Sequence, residues 1–217
     1  MRRINKGPEP PALTAYKRRG RQRLDSDAPR QELREALCQE QRFLCAFCQS
    51  HITPDAQKMR IAHVIPQATR EGANLGVEWN NLVGSCTGGE GKPAKEQHCD
   101  KKQEAQRIPE RLDPVRLQEG TVRFDAQARI LGCDPAVQHA IDDVLGLNIW
   151  SLRNLRDSCL KKLMYLLVND CSEKKIREEI SRLDDPSARE LPVCVDYLLW
   201  RLHEKLNTLN KMDAGAD

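Results

Sequence analysis

Apolar positions recur with a helical period in some stretches of the chain and irregularly in others. In "APRQELREALCQEQRFLC", Leu33, Leu37 and Cys38 fall at helical spacing and predict a helix over roughly 29–42. Upstream, "KGPEPPA" is Pro-rich and extended, and "LTAYKRRGRQRLD" can form a short basic helix that stops near Gly20. Residues 45–107 lack a long periodic segment. They hold one apolar run, "IAHVI", which ends at Pro66 and reads as a strand. They also hold a Gly-rich loop, "CTGGEGKPAKEQHCD", of a length that in a compact domain suggests function or a metal clamp. The character changes after Pro109. "TVRFDAQARILGCD" alternates and predicts a small hairpin, and "PAVQHAIDDVLGL" has the Pro start and Gly stop of a helix. "NIWSLRNLRDSCLKKLMYLLV" is amphipathic, "SEKKIREEISRL" begins at a Ser N-cap, and "LPVCVDYLLWRLHEKLNTL" follows. Residues 134–212 therefore read as a helical bundle, and no internal repeat is visible. The expected organisation is an N-terminal arm over 1–28, a domain over 29–107 and a helical domain over 108–217.

Charge separates the arm from the rest. Residues 1–30 carry nine basic side chains against three acidic ones, a net +6. The whole chain of 217 residues is only +3, which leaves −3 elsewhere. A basic arm before a balanced body is a nucleic-acid footprint, with Arg18 and Arg19 as its candidate contacts; a solvated tail explains the charge equally well. No run approaches the roughly 18 apolar residues of a membrane helix. "MRRINKGPEPPA" has no apolar stretch after its charges, so no signal peptide and no membrane association are expected, and a cytoplasmic location is.

In a reducing compartment nine cysteines call for metal ligation, catalysis or packing rather than disulfides. Cys45 and Cys48 form a C-x2-C turn, half of a tetrahedral zinc site. Cys86 and Cys99 can supply the other half across a Gly- and Pro-containing loop, with His98 as an alternative fourth ligand. The plain alternative is a buried turn beside unrelated thiols. Four thiolates would leave no open position for water, so such a zinc is structural. Cys38, Cys133, Cys159, Cys171 and Cys194 lie on apolar faces or element ends and are expected to pack as small hydrophobes.

Read in order, the chain has Cys45 and Cys48, then His63 on an apolar strand, then Asn81-Leu82 ahead of Cys86, then Cys99-Asp100-Lys101-Lys102. Over about residues 43–107 this resembles the HNH endonuclease motif, whose cysteine-bearing members carry zinc pairs at these places. The resemblance implies an α+β fold: a zinc-stabilised ββα-metal core followed by a mostly helical C-terminal region. It implies that His63 is the general base and that Asn81, rather than Asn80, shapes the loop around it. It also implies a Mg2+ or Mn2+ ion to stabilise charge on the phosphate. The sequence departs from the common pattern at Ala62, where an acidic or histidine ligand usually precedes the base. Asp100, helped by a loop carbonyl or His98, is the expected ligand instead. Binding through substrate phosphate and water, or an inactive site, are the other readings. Lys101 and Lys102 follow on the same turn and can hold the scissile phosphate, or can be an ordinary exposed helix face.

The likeness reaches further. "MRRINKGPEPPALTAYKRR", "LREALCQEQRFLCAFC", "IAHVIPQ", "WNNLVGSCTGGEG" and "HCDKK" resemble, in order, the PtuB-like HNH proteins of the Septu and retron-associated defence systems, over roughly residues 1–107. This implies an anti-phage nuclease effector that works with a PtuA-like ATPase. In retron-linked versions a reverse transcriptase and its RNA–DNA product join them.

Overall fold

A computed structural model describes residues 1–168 and 171–213; the remaining residues of the expected 108–217 domain lie outside the described residues. The run around "IAHVI" forms a strand, β1 (Met59–His63), paired antiparallel with β2 (Leu82–Cys86). Met59 faces Cys86 and His63 faces Leu82 in the register. Val64 N–H donates to the Asn81 carbonyl at 3.0 Å and carries the ladder past His63.

Helix α1 (Pro11–Arg18) and helix α2 (Arg30–Glu40) precede the hairpin. Leu33, Leu37 and Cys38 share the buried stripe of α2 that their spacing predicts, and Cys38 Sγ lies 3.3 Å from Met59 Sδ. Just past the helix, buried Gln41 satisfies the backbone of β2. Its amide donates to the Leu44 and Gly84 carbonyls at 2.8 Å, and its oxygen accepts from Gly84 N–H at 2.6 Å. A short helix, α3 (Cys99–Gln103), follows β2 and packs on the hairpin.

The basic N-terminal segment does not behave as a free arm. Leu13 and Tyr16, one turn apart on α1, are fully buried. The Tyr16 hydroxyl donates to the Arg23 carbonyl at 2.8 Å and accepts from Asp25 N–H at 3.0 Å, closing the turn after Gly20. Lys6 pairs with Glu40 at 2.6 Å, and its ammonium lies 3.5 Å from the centre of the Trp79 ring. Two apolar anchors and a mostly buried ion pair thus dock a segment whose charge alone resembles a tail.

The C-terminal half begins with a hairpin of β3 (Val122–Phe124) and β4 (Ile130–Gly132). Helix α4 (Pro135–His139) starts at Asp134, whose carboxylate accepts from Val137 N–H, and widens into a π-turn over Ala140–Val144. Helices α5 (Trp150–Leu166), α6 (Glu173–Leu183) and α7 (Val195–Asp213) complete the fold. Ser172 caps α6 by accepting from Lys175 N–H. No break in the core occurs near residue 107. One apolar cluster runs from Leu13 and Leu37 through Phe47 and Leu82 to Leu112, Ile141 and Tyr197. A second, smaller cluster of Leu163, Ile176, Leu198 and Leu202 joins α5, α6 and α7. The architecture is α+β with two small sheets. Among the described residues no helix is long and apolar enough to cross a membrane.

Candidate metal centre and the histidine beside it

Cys45 and Cys48 are brought to one side by a tight turn. Cys45 N–H donates to Ser50 C=O at 2.8 Å, Gln49 N–H donates to Cys45 C=O at 3.1 Å, and Gln49 takes a left-handed φ of 61°. The loop between Cys86 and Cys99 folds back on itself. His98 N–H donates to the Gly88 carbonyl at 2.9 Å, and a Cβ on Gly88 would meet the His98 carbonyl oxygen at 2.2 Å. Only glycine allows that approach, and it returns Cys99 to Cys86. Cys99 itself has φ 56° while its N–H donates to Leu145 C=O at 2.7 Å. A non-glycine residue held in this region is strained, as residues at metal sites often are.

The result is a group of four sulfurs within 4.8 Å of one another. Cys45–Cys99 and Cys86–Cys99 are 3.8 Å apart, and Cys48–Cys86 is 3.7 Å. A tetrahedral zinc with Zn–S near 2.3 Å demands a sulfur–sulfur edge of about 3.8 Å. The thiols therefore stand at the spacing of a closed tetrahedral site, and they can bind a metal such as zinc. Hydrogen bonds from Cys45, Cys86 and Cys99 pull the Cys48 thiol well below its ordinary pKa. Burial and the neighbouring sulfurs push Cys99 well above. One thiolate at Cys48 is favoured while Cys99 stays protonated, so ionising all four sulfurs in this buried place takes a cation, whose binding releases the remaining protons. His98 Nδ1 lies 3.1 Å from Cys99 Sγ, beside a set that four sulfurs already complete.

Of the other cysteines, Cys38 and Cys194 are buried and Cys159 and Cys171 half-buried, while Cys133 is exposed near Arg111. The expected packing role does not apply to Cys133, because the turn after β4 places it outside.

His63 is half-buried at the end of β1, its Nε2 3.0 Å from the Gly76 carbonyl oxygen. A carbonyl only accepts, so Nε2 carries the proton and Nδ1 keeps its lone pair. Burial lowers the His63 pKa, the Gly76 bond partly offsets this, and the charge of Arg30 lowers it further. Asn81, 5% exposed, pins the loop that presents Gly76. Its side-chain N–H groups donate to Ile65 C=O at 3.1 Å and Leu75 C=O at 3.2 Å, and its oxygen accepts from Ile65 N–H at 2.8 Å. Asn80 is exposed. A Cβ on Gly76 would meet the Gln22 carbonyl oxygen and the Gln67 side chain at 2.5 Å, so the stretch after α1 lies against this loop.

Ala62 is 1% exposed and, by the alternation of the strand, points to the face opposite His63. Asp100, the second residue of α3, has its pKa raised to about 6 by burial, against the lowering charges of Arg60 and Lys101. Among the described residues the four cysteines are the group of three or more metal-ligating side chains close enough to share one ion, and neither His63 nor Asp100 belongs to it. Lys101 is exposed. Lys102 is half-buried, and a Cβ on Gly146 would meet its Cδ at 2.7 Å. Arg18 and Arg19 are exposed, and Arg19 is 3.5 Å from Asp27.

Sequence reasoning counts Arg30 only within the basic N-terminal charge and passes over Arg34 and Arg60. The available signal was the one-turn spacing of Arg30 and Arg34 on α2 and a lone arginine in an apolar strand. No family model matches this chain, and no curated protein matches it.

Proposed function

We propose that this protein is a metal-dependent HNH nuclease that hydrolyses phosphodiester bonds of nucleic acid, with β1, β2 and α3 as its ββα unit. The observation that carries the reading is the tautomer of His63. Its Nε2–H is spent on the Gly76 carbonyl, so Nδ1 is the atom left to take a proton. Burial keeps the ring neutral near pH 7, the form a general base requires. Asn81 does not touch the reacting atoms in this account. It positions His63 by fixing the 65–76 loop. Asp100 offers one hard oxygen ligand for Mg2+ or Mn2+, the other positions falling to water and substrate phosphate. Such a cation supplies stabilisation of the charge that builds on the phosphate and the leaving oxygen. The four cysteines hold a structural zinc that braces the turn before β1 and the start of α3. Lys101 and the exposed Arg18 are further contacts for the phosphate backbone.

The biological setting rests on sequence resemblance. The protein is read as a cytoplasmic PtuB-like effector of an anti-phage system, acting with a PtuA-like ATPase and, in a retron setting, with a reverse transcriptase and its RNA–DNA product. The decisive experiment is the His63→Ala variant, assayed on DNA and RNA with Mg2+ or Mn2+. It should keep its zinc and its melting temperature and lose cleavage. Cleavage at the wild-type rate would end the nuclease reading.

A second reading has its own support. Ala62 is buried where the motif usually places a metal ligand, and Asp100 is a single desolvated carboxylate beside Arg60. A catalytically weak or inactive, zinc-stabilised subunit that binds nucleic acid or a partner fits those facts. Wild-type protein that binds nucleic acid but never cleaves it, even with its ATPase present, would favour this reading.

A further inference from the structure

Arg30 and Arg34 lie one turn apart on α2, on the helix that packs against β1. Cys38 touches Met59 at the far end of that contact. Stepping back from Cys38 to Arg30 covers about 12 Å of helix. Stepping forward from Met59 to His63 covers about 13 Å of strand. The lengths match, and the positive charge of Arg30 is felt at His63, so α2 runs back along β1 with its basic turn beside the histidine. Met59, Ile61 and His63 share the face of the strand that α2 covers.

Arg34 is the unusual member. Its Nε is buried and has no hydrogen-bond partner, and among the described residues its guanidinium makes no ion pair. Its charged surroundings are Arg30 and Arg60, which repel it, and Asp55, which offsets them only in part. Arg30 is held by the Leu24 carbonyl, and Arg60 by Glu90 and the carbonyls of Ala56 and Met59. Those bonds fix two guanidinium groups in place and leave the third with donors to spare. Glu90 compensates Arg60, but Arg30 and Arg34 have no carboxylate partner among the described residues, and an unpaired buried donor costs stability unless an anion joins it. A guanidinium fork matches the oxygens of a phosphate.

We infer that Arg34, flanked by Arg30 and Arg60, is a binding site for a backbone phosphate of a nucleic-acid strand, one that lays the strand along α2 toward His63. The inference deepens the nuclease reading and rests on it, but binding alone tests it. The probes are fluorescently labelled DNA and RNA oligonucleotides, titrated with full-length protein in EDTA, with zinc content confirmed for each variant. Arg34→Gln should weaken binding about tenfold. It should also make the dependence of log affinity on log salt shallower by about 0.9, the signature of one lost phosphate contact. Its melting temperature without nucleic acid should be unchanged or higher, because a like charge is gone. Arg177→Gln on distant α6, whose arginine already pairs with Glu173, should bind as wild type. Wild-type affinity and salt slope in Arg34→Gln would overturn the site, as would a wild-type protein that binds neither oligonucleotide. If Arg34→Gln does not fold, Arg34→Lys decides. Weaker binding with the wild-type salt slope supports the fork, and unchanged affinity overturns it. His63→Ala separates the two ideas, since it should bind normally and not cleave. Cleavage by that variant removes the nuclease reading and leaves the Arg34 result standing.

Discussion

The cysteine cluster and the His63 pocket lie on the same short hairpin, yet they are specified to very different degrees. The cluster has four ligands of one soft type, and their spacing already matches a tetrahedral zinc. The pocket has one oriented imidazole, while buried Ala62 points to the opposite face of the strand and Asp100 is a desolvated carboxylate beside Arg60. A closed metal site must satisfy its coordination sphere from the protein alone, so its chemistry is complete in the chain. Under the proposed nuclease reading, the His63 site would leave positions for water and substrate, so what the chain displays would be only part of it. The cluster therefore constrains what it binds more tightly than the pocket constrains what it does.

The hardest blow to this contrast is the removal of one sulfur. Cys48→Ser should lose stoichiometric zinc, and the fold of residues 43–107 should go with it. Structural zinc contributes about 10–16 kcal/mol in small domains, more than a typical domain's whole stability. Metal analysis and thermal unfolding read the result. A Cys48→Ser protein with wild-type melting would mean that the four thiols are merely packed together.

Next in size is a change that adds a candidate ligand to β1 where the resembled motif usually has one. Ala62→Asp adds a buried carboxylate to the face opposite His63. Without a divalent cation it should destabilise the protein by about 3 kcal/mol, as an uncompensated buried charge does. If Asp100 and position 62 share a cation site, Mn2+ should restore much of that loss in the variant and shift the wild type far less. Melting with and without Mn2+ tests it. An equal Mn2+ effect on both proteins would place the cation elsewhere.

Asn81→Ala is smaller and acts through geometry. It removes three hydrogen bonds and strands the Ile65 N–H, for about 1–3 kcal/mol. The 65–76 loop should loosen and the Gly76 carbonyl should drift from His63. In cleavage assays kcat should fall with KM nearly unchanged, because the base is misaligned and not removed. A change in KM alone would assign Asn81 to substrate binding.

What was legible in the sequence follows the same division. Leu33, Leu37 and Cys38 announced α2, the alternation after Thr121 announced the β3–β4 hairpin, and the paired cysteines announced the cluster. These signals are local, or depend on residue types with few uses. The Gly76 carbonyl was invisible, because every residue has a carbonyl and only the fold of the 65–76 loop aims this one at an imidazole. The arginine group was hidden for a related reason: Arg30, Arg34 and Arg60 come from two elements that meet only in three dimensions. The docking of residues 1–28 was masked by charge. Leu13 and Tyr16 are two apolar residues among many basic ones, and their burial depends on partners far along the chain.

The smallest effect bears on the protonation of His63. Its folded pKa lies below the unfolded value of about 6.5, chiefly through burial. The folded state therefore binds fewer protons than the unfolded chain between those two values, and stability rises with pH across that window. Above about pH 6.5 both states hold a neutral ring and the full contribution is present. It is lost as pH falls from there through the folded pKa. Zinc release in acid would obscure this in the wild type alone, so the measurement is a difference. Denaturant unfolding of wild type and His63→Gln at pH 7 and pH 5.5 should show the wild type losing more stability, because glutamine does not titrate. Cleavage by the wild type should persist below the usual imidazole range. If the wild type instead gained stability relative to His63→Gln on acidification, the imidazolium would be the favoured form. His63 would then be poised as an acid or an anion ligand, and the contrast with the cysteine cluster would have to be redrawn around a charged histidine.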